Sequence, residues 1–386
     1  MSIIRYASLA NDKTETSTST TGTVTIDLPE KGILTELYPQ CLHTKVYSND
    51  RNLPDYQLVT KLEVLVDGST VVKSVTGQEA RALCWLNGGP FTTTALFNGN
   101  GGDTDSYTGL PLYFNRFAGD MKAGLDLAAY SNPQLKITYD STQTSVDGHT
   151  WDATTSPSFK YNVVAKILET APVGFIGKYC QSREIDVWTQ AASTEHTTEI
   201  PRGFDLKGLL LKTDYYETTW TAGFDKLKLD FDNGQWVPLD LDHEQVAMLF
   251  KAWYPHPVHV GFWDKAASAD SADLQVLQLA GMGFTSAWGA GGELSYDMHE
   301  CGGHDIVVKQ SGGTAESSGV NFHVMVNGWG PMGCIYLPMK ELIDGTTETV
   351  NTTQYGRIDL KVTASSGASS SAKGRVVAEY LKPNGK

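Results

Sequence analysis

The chain has 386 residues, with 30 Lys and Arg against 44 Asp and Glu, a net charge of −14 and 40% hydrophobic residues. Such acidity without a basic tail excludes a non-specific grip on nucleic acid, which needs Lys and Arg against phosphates. The apolar content excludes a disordered chain, no apolar run approaches the ~20 residues of a membrane-spanning helix, and the length exceeds one ordinary domain.

At the N-terminus, Ile3 and Ile4 precede Arg5 without the apolar core of a secretory leader, so no export signal is expected. Residues 10–24 are rich in Ser and Thr, and residues 1–27 are expected to be an arm, mobile or ordered by a partner. Five cysteines, Cys41, Cys84, Cys180, Cys301 and Cys334, lack paired short spacings, which argues against a disulfide framework and a zinc ribbon.

Residues 61–68 alternate apolar and polar side chains and end in Asp67-Gly68, a hairpin turn signal, and residues 71–75 supply the returning strand. Thr76 and Glu79 then form a capping-box pattern, and Ala80, Leu83 and Cys84 give the helix that follows one apolar face. Further strand-like blocks lie at 110–117, 135–138 and 163–168. The same succession returns. Residues 199–203 resemble 27–32, and residues 226–234, ending in Asn233-Gly234, resemble 61–68. Residues 237–241 follow, then Asp242 and Gln245 as cap and acceptor, then Val246, Leu249 and Phe250. Residues 335–342 align with 110–117, Leu360 falls on Leu135, and 376–381 align with 163–168.

Several matches in one order make the chain a duplication, with copies at roughly 28–169 and 199–382 and a connecting segment between them. The alignment also locates the loops. The second copy carries about 59 extra residues within about 254–334, rich in Gly, Trp, His and Asp, and the first copy has a longer loop at about 140–160.

Many short strands with one capped helix per copy read as an all-β chain of two tandem eight-stranded antiparallel jelly rolls with short helices and long loops. The expected division is 1–27 as the arm, 28–180 as the first jelly roll, and 181–386 as the second with its insertion. Residues 202–212 followed by 226–253, an opening strand, a hairpin closed by Asp232-Asn233-Gly234 and a capped helix, carry a resemblance to the double jelly-roll major capsid proteins of tailless icosahedral viruses, the PRD1-adenovirus-type lineage. The resemblance covers most of residues 28–382 and rests on architecture. It implies a homotrimer of pseudo-hexagonal outline that packs against neighbouring trimers in an icosahedral shell, with minor capsid or penton proteins as further partners. It also implies a place in the virion capsid, assembly in the host cell cytoplasm, no cofactor and no enzyme activity. The family commonly encloses an internal membrane. The insertion would stand as an outer tower, and the charge suits a shell that does not condense nucleic acid.

Other chemistry is weaker. His256, His259, and the 298–305 loop with His299, Glu300, Cys301, His304 and Asp305 match no zinc spacing. The Gly/Asp loop 98–105 lacks the ligand order and terminal Glu of a calcium loop. No metal site is therefore assigned, and the missing His-x-His disfavours a metal-binding cupin. Asp230, Asp232, Asp240 and Asp242 could be a glycosidase pair, but alternating acids more often form the wet face of a sheet. Trp85 and Trp253 suit core packing, while Trp263, Trp288 and Trp329 could form a sugar platform. A secreted or surface carbohydrate-active or carbohydrate-binding double β-sandwich is the alternative; no nucleophile elbow, P-loop or dinucleotide motif is present.

Overall fold

The computed structural model describes residues 3–15, 21–45, 55–89, 96–98, 104–140, 159–213, 223–254, 258–265, 274–276, 285–288, 292–296, 304–310, 314–315, 321–328, 334–368 and 372–385. Two β-sandwiches follow one another. In the first, a sheet ordered Ile4–Glu15, Phe159–Leu168, Ile33–Lys45, Thr104–Gly109 packs against Thr21–Asp27, Gln134–Asp140, Val59–Val66, Thr70–Val75. In the second, Lys178–Thr189, Lys373–Pro383, Asp205–Thr213, Cys334–Pro338 packs against Glu195–Glu199, Ile358–Thr363, Lys226–Phe231, Trp236–Asp242. Strand by strand the two orders are the same. The chain is a double jelly roll.

The equivalence reaches individual residue pairs. Leu135 lies between Ile26 and Val64, as Leu360 lies between Thr198 and Leu229. Ala165 faces Leu37, as Ala378 faces Leu209. Irregularities coincide too. The register skips Thr35 in one unit and Lys207 in the other, and it skips Leu9 and Ile185 in the strands beside them. A bulge re-aims the strand beyond it, so two shared bulges give both sandwiches the same bends.

Local chemistry explains the elements. Gln134–Asp140 alternates, burying Leu135, Ile137 and Tyr139 between half-exposed neighbours, the two-residue period of a strand with one face in the core. The hairpin turns need left-handed backbone, which Asp67 and Gly68 adopt at φ 51° and 79°. Helix α1 (Gly77–Leu86) begins with a reciprocal cap: the Glu79 N–H donates to Thr76 Oγ1 at 3.2 Å, and the Thr76 N–H to Glu79 Oε2 at 2.7 Å. Its counterpart α2 (His243–Trp253) has the Asp242 N–H donating to Gln245 Oε1 at 3.2 Å. Asp126 and Asn351 cap matching 3-10 turns by accepting from the Ala128 and Thr353 N–H groups.

The two sandwiches share a sheet. Thr70–Val75 of the first lies parallel to Lys178–Thr189 of the second, pairing Lys73 with Ser182 and Ser74 with Arg183. This join makes a 9-stranded sheet that runs through both units.

Two expectations change. The described residues of 1–27 form strands where an arm is expected: Ile4–Glu15 pairs antiparallel with Phe159–Leu168, and Thr21–Asp27 with Gln134–Asp140. The segment after residue 169 is more than a connection, because Lys178–Thr189 is the first strand of the second unit, the counterpart of Ile4–Glu15. Ile4–Glu15 lies at a sheet edge, where few side chains need to be apolar, and Lys178–Thr189 buries a run that includes the polar Gln181 and Ser182, so neither shows a strong alternation. The insertion contains strands of its own. Val258–Lys265 pairs with Asn321–Gly328 and, in parallel, with Leu96–Asn98 of the first unit. The long loops that follow α1 and α2 therefore meet in one small sheet.

Candidate functional site

The most developed polar site lies where the units join. Glu379 sits on Lys373–Pro383, the strand between Lys178–Thr189 and Asp205–Thr213, and is 1% exposed. Its Oε1 accepts from Ser182 Oγ at 2.7 Å, and its Oε2 accepts from Lys207 Nζ at 3.0 Å and Tyr336 OH at 2.9 Å. Lys73 Nζ, from the first unit, donates to Ser182 Oγ at 2.7 Å. Lys207 reaches back to the Asn87 side chain just past α1. The bulge at Lys207 is what turns its ammonium toward the seam. One carboxylate therefore links groups from both units, and a small cavity beside it is lined by Lys73, Asn87, Tyr113, Ser182 and Glu379.

The electrostatics follow. Burial raises the Glu379 pKa, but the Lys207 and Lys73 charges, with hydrogen bonds from Ser182 and Lys207, outweigh it and hold the group at about 2. Burial also lowers Lys207, and Glu379 reverses that shift, so both partners favour the ion pair. For Lys73, burial dominates and the net shift is downward. Ser182 and Lys73 are residue types that can form a nucleophilic pair. Here both are buried, and the Ser182 proton is directed to Glu379. The geometry cements two domains.

The acids that suggested a glycosidase are structural. Lys361 Nζ donates to Asp230 Oδ2 at 3.0 Å, and Asp240 pairs with Lys226 at 2.7 Å. Asp232 accepts the Gly356 and Arg357 N–H groups, and Asp242 is the N-cap of α2. Burial raises the Asp230 pKa, but Lys361 and the Gly234 N–H outweigh it. Asp230 and Asp232 hold the hairpin to its neighbour, and Asp240 ties the two hairpin strands together. Trp85 packs on Tyr254 with ring centroids 5.6 Å apart, and Trp253 lies against the core.

Of the 298–305 loop, residues 298–303 lie outside the described residues, as do 99–103 of the 98–105 loop, His256, Trp329 and the side chains of His259, Trp263 and Trp288. Among the described residues, no group of three or more His, Cys, Asp or Glu is placed to hold a metal, and Cys41, Cys84, Cys180 and Cys334 are buried free thiols. No helix among them is long and apolar enough to cross a membrane.

Sequence reasoning did not single out the Glu379 cluster. The available signal was a charged residue in the middle of an apolar strand in each copy, Lys166 and Glu379 at matching places.

No protein-family model matches the chain, and no curated protein matches it. Solved structures do. The STIV MCP, from Sulfolobus Turreted Icosahedral Virus, is similar with a TM-score of 0.58 and 11% identity, over 98% of this chain and 96% of that one. The major capsid protein P2 from Bacteriophage PM2 has a TM-score of 0.52 and 11% identity, with 100% of both chains covered. The PBCV-1 virus capsid has a TM-score of 0.52 and 10% identity, over 99% of this chain and 94% of that one. The fold shared with them is the double jelly roll, over nearly the whole length.

Proposed function

We propose that this chain is a viral major capsid protein: a structural subunit, not an enzyme, three copies of which form a capsomer of pseudo-hexagonal outline in an icosahedral shell. The observation that carries the proposal is the pair of register-matched jelly rolls joined by one sheet. Such a chain presents the same unit twice in fixed relation, so three chains around an axis present six similar units and tile a surface hexagonally. The capsid proteins of like fold support this reading.

Its partners are then its own copies, first within the capsomer and then between capsomers. Minor capsid or penton proteins fill the five-fold positions that a six-sided tile cannot occupy. The strands inserted between 258 and 328 form the exterior tower, and assembly takes place in the host cell cytoplasm. The net charge of −14 suits a wall that leaves nucleic acid uncondensed.

Light scattering coupled to size exclusion, with electron microscopy of the purified chain, tests the proposal. The expected result is a trimer with a six-sided outline. A monomer at every concentration would refute it.

A further inference from the structure

The duplication leaves two ends open. Inside the chain, the Thr70–Val75 edge of the first unit meets the Lys178–Thr189 edge of the second. The corresponding outer edges are Trp236–Asp242 and Ile4–Glu15, and neither has a strand on its far side among the described residues.

Matched positions show what the open ends lack. Helix α1 packs against Asp205–Thr213 and Cys334–Pro338 of the second unit, and its residues from Gly77 to Cys84 are all buried. In α2, Met248 is 69% exposed where Ala82 of α1 is 0% exposed. Glu244 and Gln245 are likewise exposed where Gln78 and Glu79 are buried. On the other open edge, Tyr6 is 64% exposed, while its counterpart Ser182 is 1% exposed. Ile4 is exposed and its counterpart Cys180 is buried. Both halves of the internal seam thus recur at the two open edges, without a partner strand among the described residues.

We propose that a second copy of this chain docks its Ile4–Glu15 edge on the Trp236–Asp242 edge and the outer face of α2, repeating between chains the seam found within one. Because the shared bulges fix the register, Tyr6 lies opposite Leu239 and Ala7 opposite Asp240, in parallel, as Ser182 lies opposite Lys73 and Arg183 opposite Ser74. This rests on the capsid reading and adds the residues of the capsomer contact. The contact is head-to-tail, because each chain offers one edge of each kind, and such contacts form a ring where the rotation between copies closes.

The two seams differ in chemistry. Where the internal one holds the buried Ser182 and Lys73 and the half-buried Asn87, the contact between chains brings Tyr6, Leu239 and Trp253. In place of Glu379 stands Lys166, already paired with Glu36 at 2.7 Å. Ile4, Tyr6 and Met248 give the contact an apolar centre, which is the composition of a permanent oligomer.

The test joins Ala7 to Asp240. The full-length A7C/D240C double variant, treated with a short bismaleimide, should give a covalent trimer on a denaturing gel, and A7C or D240C alone should not. Separately, the full-length Y6E/M248E variant should shift from trimer to monomer by light scattering while keeping the wild-type β-sheet circular dichroism spectrum, since both side chains are exposed in the single chain. A wild-type trimer whose A7C/D240C variant gives no covalent product, or whose Y6E/M248E variant stays trimeric, overturns this contact and leaves the capsid reading standing. A wild-type monomer overturns both.

Discussion

Glu379 holds in the second unit the place that Lys166 holds in the first. Each lies opposite the residue just after the same bulge, Gly208 for Glu379 and Glu36 for Lys166. The two positions keep a buried ion pair and exchange its sign: Lys166 meets Glu36 at 2.7 Å, and Glu379 meets Lys207 at 3.0 Å. Only the Glu379 pair also binds across the seam, through Ser182 to Lys73.

Replacing Glu379 with Gln should therefore be costly. It leaves the Lys207 ammonium buried without its counter-charge, and breaking a buried pair from one side costs about 3–5 kcal/mol. Urea denaturation of E379Q against wild type measures this. A loss below about 1 kcal/mol would show that the pair is dispensable.

The same carboxylate sets an acid limit. Its folded pKa of about 2 lies below the ordinary 4.5, so the folded protein takes up this proton later than the unfolded chain. The stability it contributes is complete above pH 4.5 and is lost as the pH falls toward 2. The stability gap between wild type and E379Q, followed by denaturation at stepped pH, should narrow below pH 4.5. A gap that is flat with pH contradicts this assignment.

The reciprocal cap of α1 predicts a smaller effect. Thr76→Ala removes the acceptor for the Glu79 N–H and should cost about 1 kcal/mol, read as a lower denaturation midpoint with the same slope.

Gly77 gives a test that runs against helix propensity. Ala is better than Gly inside a helix by about 1 kcal/mol. At Gly77, however, a Cβ would lie 2.2 Å from the Tyr56 backbone oxygen and 3.1 Å from Val59. Gly77→Ala should therefore destabilise, by about 1–3 kcal/mol, through displaced backbone. A raised melting temperature would mean that the Tyr56 turn yields freely.

Much of this fold was legible in the sequence because both copies keep their core alternation. The equivalence of Leu135 and Leu360, the turns at Asp67-Gly68 and Asn233-Gly234, and both helix caps were all visible there. The bulges at Thr35 and Lys207 were not, since a skipped residue leaves the local composition unchanged. Ile4–Glu15 was hidden for a different reason. Four of its first five side chains, Ile4, Arg5, Tyr6 and Ser8, are exposed, so the single chain gives it little apolar alternation. The seam cluster escaped because Lys73, Ser182, Lys207 and Glu379 are far apart in sequence, and no short motif joins them. The four aspartates of the hairpin region show the reverse case: a catalytic pattern in sequence is, in the structure, strand-to-strand fastening by Asp230, Asp232 and Asp240 and a helix cap at Asp242.

The position of Lys373–Pro383 bears on how the protein is made. It is the latest strand in chain order and lies inside its sheet, between Lys178–Thr189 and Asp205–Thr213. The first sandwich has all its strands once Leu168 has been translated, and units of this kind fold as they emerge. The second must wait through some two hundred further residues, with Asp205–Thr213 and Lys178–Thr189 held apart by a missing middle. During that interval the nascent chain exposes the α1 face and the Thr70–Val75 edge, which the second sandwich later covers. Synthesis thus has a vulnerable phase, and its length is set by how fast the ribosome reaches Lys373.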